Sequence, residues 1–206
     1  MEYPSLREAG APVVRCAWAR VEPNTTYHDT EWGVPEFDDR RLFELLTLEG
    51  AQAGLSWTTI LRKRDGYRAA FAGFDPEVVA AFDDARCARL VRDPAIVRHR
   101  GKIEATVRNA RAFLAVGRER GSFASYLWAF VDGRPVVTNR PDGEPLAASS
   151  ALSDRVSGDL RARGFAFVGS TIVHAYLQAT GVIDDHAASC FRAASRARGA
   201  ISCERP

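Results

Sequence analysis

The sequence has no long apolar run and no recognisable export signal. No stretch of about eighteen apolar residues occurs, so no membrane-spanning helix is predicted. The N-terminus lacks a basic region followed by an apolar run, which is the pattern of a secretory signal peptide. These absences lead us to expect a cytoplasmic protein without a membrane partner.

Lysine is nearly missing, and the net charge is small. Lys63 and Lys102 are the only lysines, and the other basic side chains are arginines. The formal net charge is +2, which is a weak attraction for a polyanion. Because the arginine bias is typical of a codon composition, we give the arginine count no weight as an indication of DNA binding.

Cysteine is also scarce. The sequence contains four cysteines and four histidines: Cys16, Cys87, Cys190, Cys203, His28, His99, His174 and His186. So few cysteines without a secretory signal do not indicate a disulfide framework, and metal binding is the better hypothesis for some of them. Cys87 falls on an apolar helical face and is predicted to lie in the core, whereas Cys203 lies in a polar tail and is predicted to be a free thiol.

The periodicity of apolar residues predicts an all-α fold. The 206 residues suit one domain, or two closely packed helical lobes. No alternating run of apolar and polar residues is long enough to predict a strand, and no internal repeat occurs. The 139–149 segment, with two prolines, is predicted to be a loop. The predicted helices cover residues 38–52, 56–64, 75–82, 85–92, 102–116, 123–130, 152–163 and 170–180.

A spacing of four residues separates His186 from Cys190. If that stretch is helical, both side chains lie on one face, and Cys16 and His28 are available as a second pair. Four such ligands make a closed site, which suits a structural zinc ion that ties the two ends of the chain together. The alternative is that the cysteines are small buried hydrophobic residues and the histidines lie on the surface.

A carboxylate and several aromatic residues fall in the first third of the chain. Glu49 lies among leucines on the apolar side of its predicted helix, where a buried glutamate needs partners or a raised pKa. It is either a functional-site residue or a solvated residue near the helix end. The aromatic residues nearby in sequence, each of which could be an ordinary core residue, are Trp18, Tyr27, Trp32 and Trp57. Together with one carboxylate, they suit a flat cationic ring.

The break between residues 93 and 102 joins two predicted helices through a tight turn. Its basic residues are Arg98, His99, Arg100 and Lys102, and Gly101 stands at the start of the second helix. Backbone amides at such a helix start can hold a DNA phosphate. Taken alone, the spacing favours an ordinary helical hairpin with a solvated basic tip.

Several segments together resemble the 3-methyladenine DNA glycosylase I family of the helix–hairpin–helix superfamily. The matching segments, in the family's order, are 27–35, 48–57, 96–103 and 163–172, followed by Asp185-His186 and Cys190. The resemblance covers residues 15–190, which are predicted to form the glycosylase domain. It leaves a flexible leader at 1–14 and a C-terminal tail at 191–206.

The resemblance implies roles for the aromatic and acidic residues. Glu49 and Tyr27 would hydrogen-bond the extruded base, Trp57 would stack on it, and Trp18 and Trp32 would line the same pocket. The implied activity is excision of 3-methyladenine from double-stranded DNA by a monofunctional glycosylase of base-excision repair, with Glu49 as the catalytic residue. No obligate protein partner is implied.

The same resemblance implies a metal site and a DNA-binding surface. One structural Zn²⁺ per chain would be held by Cys16, His28, His186 and Cys190. The loop of Ala53, Gly54 and Leu55 would face the gap left in the duplex, with Leu55 as a plug. The residues that would contact the DNA backbone are Arg98, Arg100, Gly101 and Lys102.

Overall fold

The computed structural model describes residues 13–193, which form a predominantly helical fold. The helices in this range are α1 (Asn24–Thr30), α2 (Asp39–Gln52), α3 (Trp57–Ala70), α4 (Pro76–Ala80), α5 (Asp84–Leu90), α6 (Arg100–Arg120), α7 (Phe123–Trp128), α8 (Ala151–Ala162) and α9 (Ser170–Ala179). Two short strands, β1 (Val136–Val137) and β2 (Ile183–Asp184), pair in parallel. Across this range, no helix combines the length and the apolar character that crossing a bilayer requires.

The predicted helices are confirmed, but two of them extend further than expected. Helix α3 was predicted to end at Arg64 and continues to Ala70. Arg64 is buried and forms an ion pair with Glu44, so a charged residue occupies the buried face of the helix. The apolar pattern in the sequence is interrupted there, and it did not indicate that the helix continues. Helix α6 starts before Lys102 because the His99 side chain accepts a hydrogen bond from the Lys102 amide, 3.2 Å away.

Helix α1 and the two strands were not predicted. Helix α1 has seven residues and no side-chain cap, and its buried residues are Tyr27 and His28. The strands have two residues each, with Val136 opposite Ile183, which is too short for any alternating pattern. The loop predicted at 139–149 is confirmed, whereas most of the predicted leader and tail, including Cys203, lies outside the described residues.

Helix α2 is the centre of the core. It packs against α3, α6, α7 and α9, and every residue from Leu42 to Ala51 is buried, including the acids Glu44 and Glu49. At its N-terminus, the Asp39 carboxylate accepts hydrogen bonds from the amides of Phe123 and Ala124, at 2.9 and 2.8 Å. The start of α7 is thereby fixed to the start of α2.

An ion-pair network joins α1, α2 and α3. Arg64 of α3 donates two hydrogen bonds to Glu31, at 2.8 and 2.7 Å, and one to the buried Glu44 of α2, at 2.8 Å. Arg41 of α2 contacts both of these acids, and Arg68 reaches Glu44 at 3.0 Å. Glu31 directly follows α1, so the network holds this short helix against the core.

We expect Arg64→Met to destabilise the protein by about 3–5 kcal/mol, because it leaves the buried Glu44 carboxylate with fewer partners. The measurement is the free energy of unfolding in urea at neutral pH. Arg62→Met, an exposed change in the same helix, is the matched control and should alter stability by less than about 0.5 kcal/mol. Equal effects of the two substitutions on the free energy of unfolding would contradict the stabilising contribution that we assign to the network.

Candidate active site

Four aromatic side chains form one continuous cluster beside α1. The ring centroids of Trp18 and Trp32 lie 5.0 Å apart, those of Trp18 and Tyr27 lie 6.4 Å apart, and those of Tyr27 and Trp57 lie 5.3 Å apart. Tyr27 belongs to α1, and Trp57 is the first residue of α3. The structure therefore brings together the four aromatic residues that the sequence singled out.

Three polar atoms in this cluster are buried and lack partners. They are Trp18 Nε1, Tyr27 Oη and Trp57 Nε1, for which no hydrogen-bond partner exists among residues 13–193. Buried polar atoms in folded proteins are nearly always paired, and each exception needs an explanation. Three exceptions in one aromatic cluster indicate a site whose partners come from a bound molecule or from water.

Glu49 lies in the last turn of α2 and is 5% exposed. No group among the described residues donates a hydrogen bond to its carboxylate, and desolvation raises its pKa to about 8. Burial, followed by the nearby Glu49 charge, also raises the pKa of Tyr27. The alternative that Glu49 stays in water near the helix end is therefore wrong. A buried, unpaired acid beside aromatic walls is typical of a functional site.

A tight turn connects Glu49 to Trp57. Ala53 has φ −45° and ψ 115°, Gly54 has φ +78°, and the Leu55 amide donates to the Gln52 carbonyl at 2.7 Å. This is the geometry of a type II turn, which favours glycine at its third position. Leu55 is 38% exposed, so an apolar side chain stands at the surface beside the aromatic cluster.

Cys16, His28, His186 and Cys190 form a buried group that can hold a metal ion. One ligand atom from each residue lies within 4.8 Å of all the others. Cys16 Sγ and Cys190 Sγ lie 3.7 and 3.6 Å from His186 Nδ1, and Cys190 Sγ lies 3.4 Å from His28 Nε2. A tetrahedral site with ordinary Zn–S and Zn–N bonds has edges of about 3.3–3.8 Å. The donors therefore fit such an ion in both chemistry and spacing.

The metal-binding group is built from two distant parts of the chain. Cys16 precedes α1, His28 lies within it, and the other two residues follow β2. The condition that residues 186–190 be helical is not met, because His186 lies in no regular element and the Cys190 amide donates to the Ala187 carbonyl in a turn. The turn nevertheless brings both side chains to the same point.

Gly33 is required beside the group. It has φ +75°, and a Cβ at this position would lie 2.7 Å from His186 Nε2. Any side chain here would displace the imidazole as well as strain the backbone.

Polar residues around the four candidate ligands were not anticipated from the sequence. His28 Nδ1 lies 2.9 Å from Asp29, whose carboxylate is 2.7 Å from the Arg15 guanidinium. A carboxylate on the second imidazole nitrogen is the usual support for a metal-binding histidine. Its position next to His28 in sequence is a signal that could have identified Asp29.

Arg140 supports the other half of the group. Its side chain lies 3.8 Å from Cys16 Sγ and donates to the Asp185 carbonyl at 3.2 Å, while its own carbonyl accepts from the Ala188 amide. Nothing in the sequence marked Arg140, because it lies 124 residues from Cys16 in a loop.

The predicted DNA contacts fall into two groups. Arg98 and Arg100 are exposed, Arg100 lies 3.3 Å from Glu104, and Gly101 is in the first turn of α6. The Lys102 ammonium instead turns toward the end of α2. Arg98 and Arg100 are thus accessible, whereas the Lys102 ammonium is engaged with backbone carbonyls.

The segment that joins α5 to α6 is anchored to α3. The Lys63 ammonium donates to the Pro94 carbonyl at 2.7 Å, and Tyr67 Oη accepts from the Val97 amide at 3.3 Å. Two helices with a fixed, basic connection stand where the hairpin is predicted, and both the helix–hairpin–helix motif and its contact with DNA stay predictions. Elsewhere, Cys87 lies in the core as predicted.

Comparison with known proteins identifies the family. The family described as methyladenine glycosylase matches residues 18–193. DNA-3-methyladenine glycosylase 1 of Escherichia coli is 47% identical over 177 residues, covering 85% of this chain and 95% of the relative. DNA-3-methyladenine glycosylase of Haemophilus influenzae is 41% identical, covering 85% and 96%. The chain belongs to the methyladenine glycosylase family.

A solved structure supports the same assignment. The 3-methyladenine DNA glycosylase I of Staphylococcus aureus, whose structure describes 3-methyladenine recognition, aligns with a TM-score of 0.83 at 38% identity. The alignment covers 86% of this chain and 95% of that one. The residues matched by the family, 18–193, include the aromatic cluster, Glu49, and His28, His186 and Cys190 of the metal-binding group.

The buried Glu49 carboxyl should make stability depend on pH. Its folded pKa of about 8 lies above the ordinary 4.5, so the unfolded state loses this proton first as pH rises. We expect Glu49→Gln to gain up to about 5 kcal/mol of stability relative to the parent between about pH 4.5 and pH 8.5. Urea unfolding at both pH values measures this. Exposed Glu77→Gln is the control, and a pH-independent difference for Glu49→Gln would refute the expectation.

Proposed function

We propose that the chain hydrolyses the N-glycosidic bond of 3-methyladenine in double-stranded DNA after the damaged nucleotide leaves the stack. The observation that carries this proposal is the aromatic cluster with three unpaired buried polar atoms and the unpaired Glu49 carboxyl. The family relatives, named as 3-methyladenine glycosylases, support the same substrate. The reaction belongs to base-excision repair, and a cytoplasmic location fits it.

The pocket selects by charge. Methylation at N3 gives the attached adenine a positive charge, and indole faces attract cations. In our proposal Trp57 stacks on the base, while Trp18 and Trp32 line the pocket. Bringing a cation beside Glu49 favours its ionised form and lowers its pKa from about 8. A neutral purine leaves the carboxyl protonated at neutral pH and gains no such charge–charge attraction, so the pocket discriminates against undamaged bases.

Hydrogen bonds orient the bound base. Glu49 accepts from the exocyclic amine, and Tyr27 Oη provides a second polar contact. The base is a good leaving group, because its departure neutralises its positive charge. Little further activation of the glycosidic bond is needed, so correct positioning of the base supplies much of the rate enhancement. Water then attacks the oxocarbenium-like sugar. The reaction is monofunctional, because its pocket residues include no lysine to form a covalent link to the sugar and open the strand.

The metal-binding group supports the pocket without taking part in the chemistry. We propose that Cys16, His28, His186 and Cys190 hold one Zn²⁺. Four protein donors leave no coordination position for a reactive water, so the ion is structural and a zinc-hydrolase function is disfavoured. A structural zinc site contributes on the order of 10–16 kcal/mol of apparent binding free energy in small domains.

DNA binding uses the surface next to the pocket. Leu55, which is exposed on its turn, fills the gap left by the extruded nucleotide, and the turn at Gly54 lets the backbone approach the duplex. Arg98 and Arg100, with the backbone at Gly101, contact phosphates.

We expect Glu49→Gln and Trp57→Ala each to lower 3-methyladenine release by about 100-fold while the fold is retained. Chromatography of bases released from methylated DNA measures this, and Glu77→Gln serves as the control. Parent-like release by both variants would contradict the assigned roles. A parent protein that binds methylated DNA but releases no base would instead indicate a damage-binding protein without activity.

Elemental analysis should find about one zinc ion per chain. His186→Ala should lose the metal and lower the melting temperature, because it removes one of four ligands. Cys87→Ala, a change at a buried cysteine outside the group, should retain the metal. A metal-free parent protein with an unchanged melting temperature in the His186 variant would rule out a structural zinc.

A further inference from the structure

Lys102 has an unusual position for a presumed phosphate-binding residue. Its ammonium donates hydrogen bonds to two backbone carbonyls, those of Ala51 at 2.8 Å and Ala53 at 2.7 Å. The side chain is half-buried, and desolvation lowers its pKa. Arg98 and Arg100, in contrast, are exposed.

Helix dipoles explain why the ammonium points this way. Lys102 is the third residue of α6, and the positive end of a helix disfavours a cation there. Its side chain reaches the C-terminal end of α2, where unpaired carbonyls and the negative end of the dipole favour a cation. The charge is thus moved from an unfavourable helix end to a favourable one.

The two carbonyls lie in the connection between the pocket residues. Ala51 follows Glu49 by two positions, and Ala53 is the second residue of the type II turn that leads through Leu55 to Trp57. A hydrogen bond on each side of Gln52 fixes the direction in which α2 ends. The placement of Glu49 relative to Trp57 and Leu55 depends on that direction.

The other end of Lys102 belongs to the basic segment before α6. Its amide donates to His99 Nδ1 at 3.2 Å, so the residue is held at its backbone by the start of α6 and at its ammonium by the end of α2. Lys102 is therefore a direct connection between the predicted DNA-binding surface and the base pocket.

We propose that Lys102 is a positioning residue for base excision, which holds the Glu49–Trp57 connection in register with the basic segment, rather than a phosphate contact. The proposal rests on the pocket roles given above. It predicts that loss of the ammonium slows the excision step and leaves the electrostatic part of DNA binding unchanged.

The test compares Lys102→Met with Arg118→Met. Arg118 is exposed in the last turn of α6, so both variants lose one positive charge from the same helix. Single-turnover release of 3-methyladenine at saturating enzyme should fall about 10- to 100-fold in Lys102→Met, the cost of a pocket displaced by about 1 Å. Arg118→Met should match the parent.

Two further measurements separate positioning from binding and folding. The salt dependence of DNA affinity should have the same slope in both variants, whereas loss of a phosphate contact would reduce the slope by about one. Hydrogen exchange over residues 50–57 should accelerate in Lys102→Met alone. Lys102→Arg keeps a cation with several donors and should recover most of the rate, which tests the proposal even if Lys102→Met folds poorly.

The outcomes are distinguishable. A reduced salt slope with a parent-like single-turnover rate assigns Lys102 to a phosphate and overturns the proposal, as does behaviour equal to that of Arg118→Met. Glu49→Gln is assayed alongside. If it loses activity while Lys102→Met does not, the pocket assignment stands and only the positioning role fails. If Glu49→Gln is also fully active, the pocket assignment itself is wrong.

Discussion

The pocket depends on how a short, intrinsically unstable helix is held in place. An isolated helix as short as α1, with seven residues and no side-chain cap, is not stable in water. It is held from both sides: His28 belongs to the metal-binding group, and Glu31, just beyond the helix, is held by Arg64. Tyr27 lies between these two anchors. Its ring is therefore positioned by contacts that do not themselves line the pocket.

Glu49 illustrates the cost of such a site. An apolar residue in its place would suit the core, since a desolvated carboxyl without partners opposes folding at neutral pH. In our proposal the same carboxyl gives the pocket its selectivity, because a cationic ring attracts its ionised form and a neutral ring does not. Burial of Glu49 thus lowers the stability of the protein at the proposed recognition site. The ion-pair network and the metal-binding group both lie next to α1, the helix that carries Tyr27.

Residue type and local pattern were enough to predict some parts of the site. The parts that depend on tertiary partners and on side-chain orientation were missed. Glu49 stood out as an acid on an apolar face, and the resemblance supplied the pairing of Cys16 and His28 with His186 and Cys190. Arg64 was overlooked because its partner Glu44 lies on another helix, and Arg140 because a long loop separates it from Cys16. The orientation of the Lys102 side chain depends on the C-terminal end of α2. The periodicity of α6 alone gives no information about that contact.

That last contact links two tasks that glycosylases must coordinate. In our proposal the basic segment contacts phosphates, which carry no information about the base, so it holds intact and damaged DNA alike. The proposed pocket reads the base, and the connection between Glu49 and Trp57 is tied through Lys102 to the start of α6. The two proposed tasks therefore meet at one side chain, because Lys102 is held at its backbone by the start of α6 and at its ammonium by the end of α2.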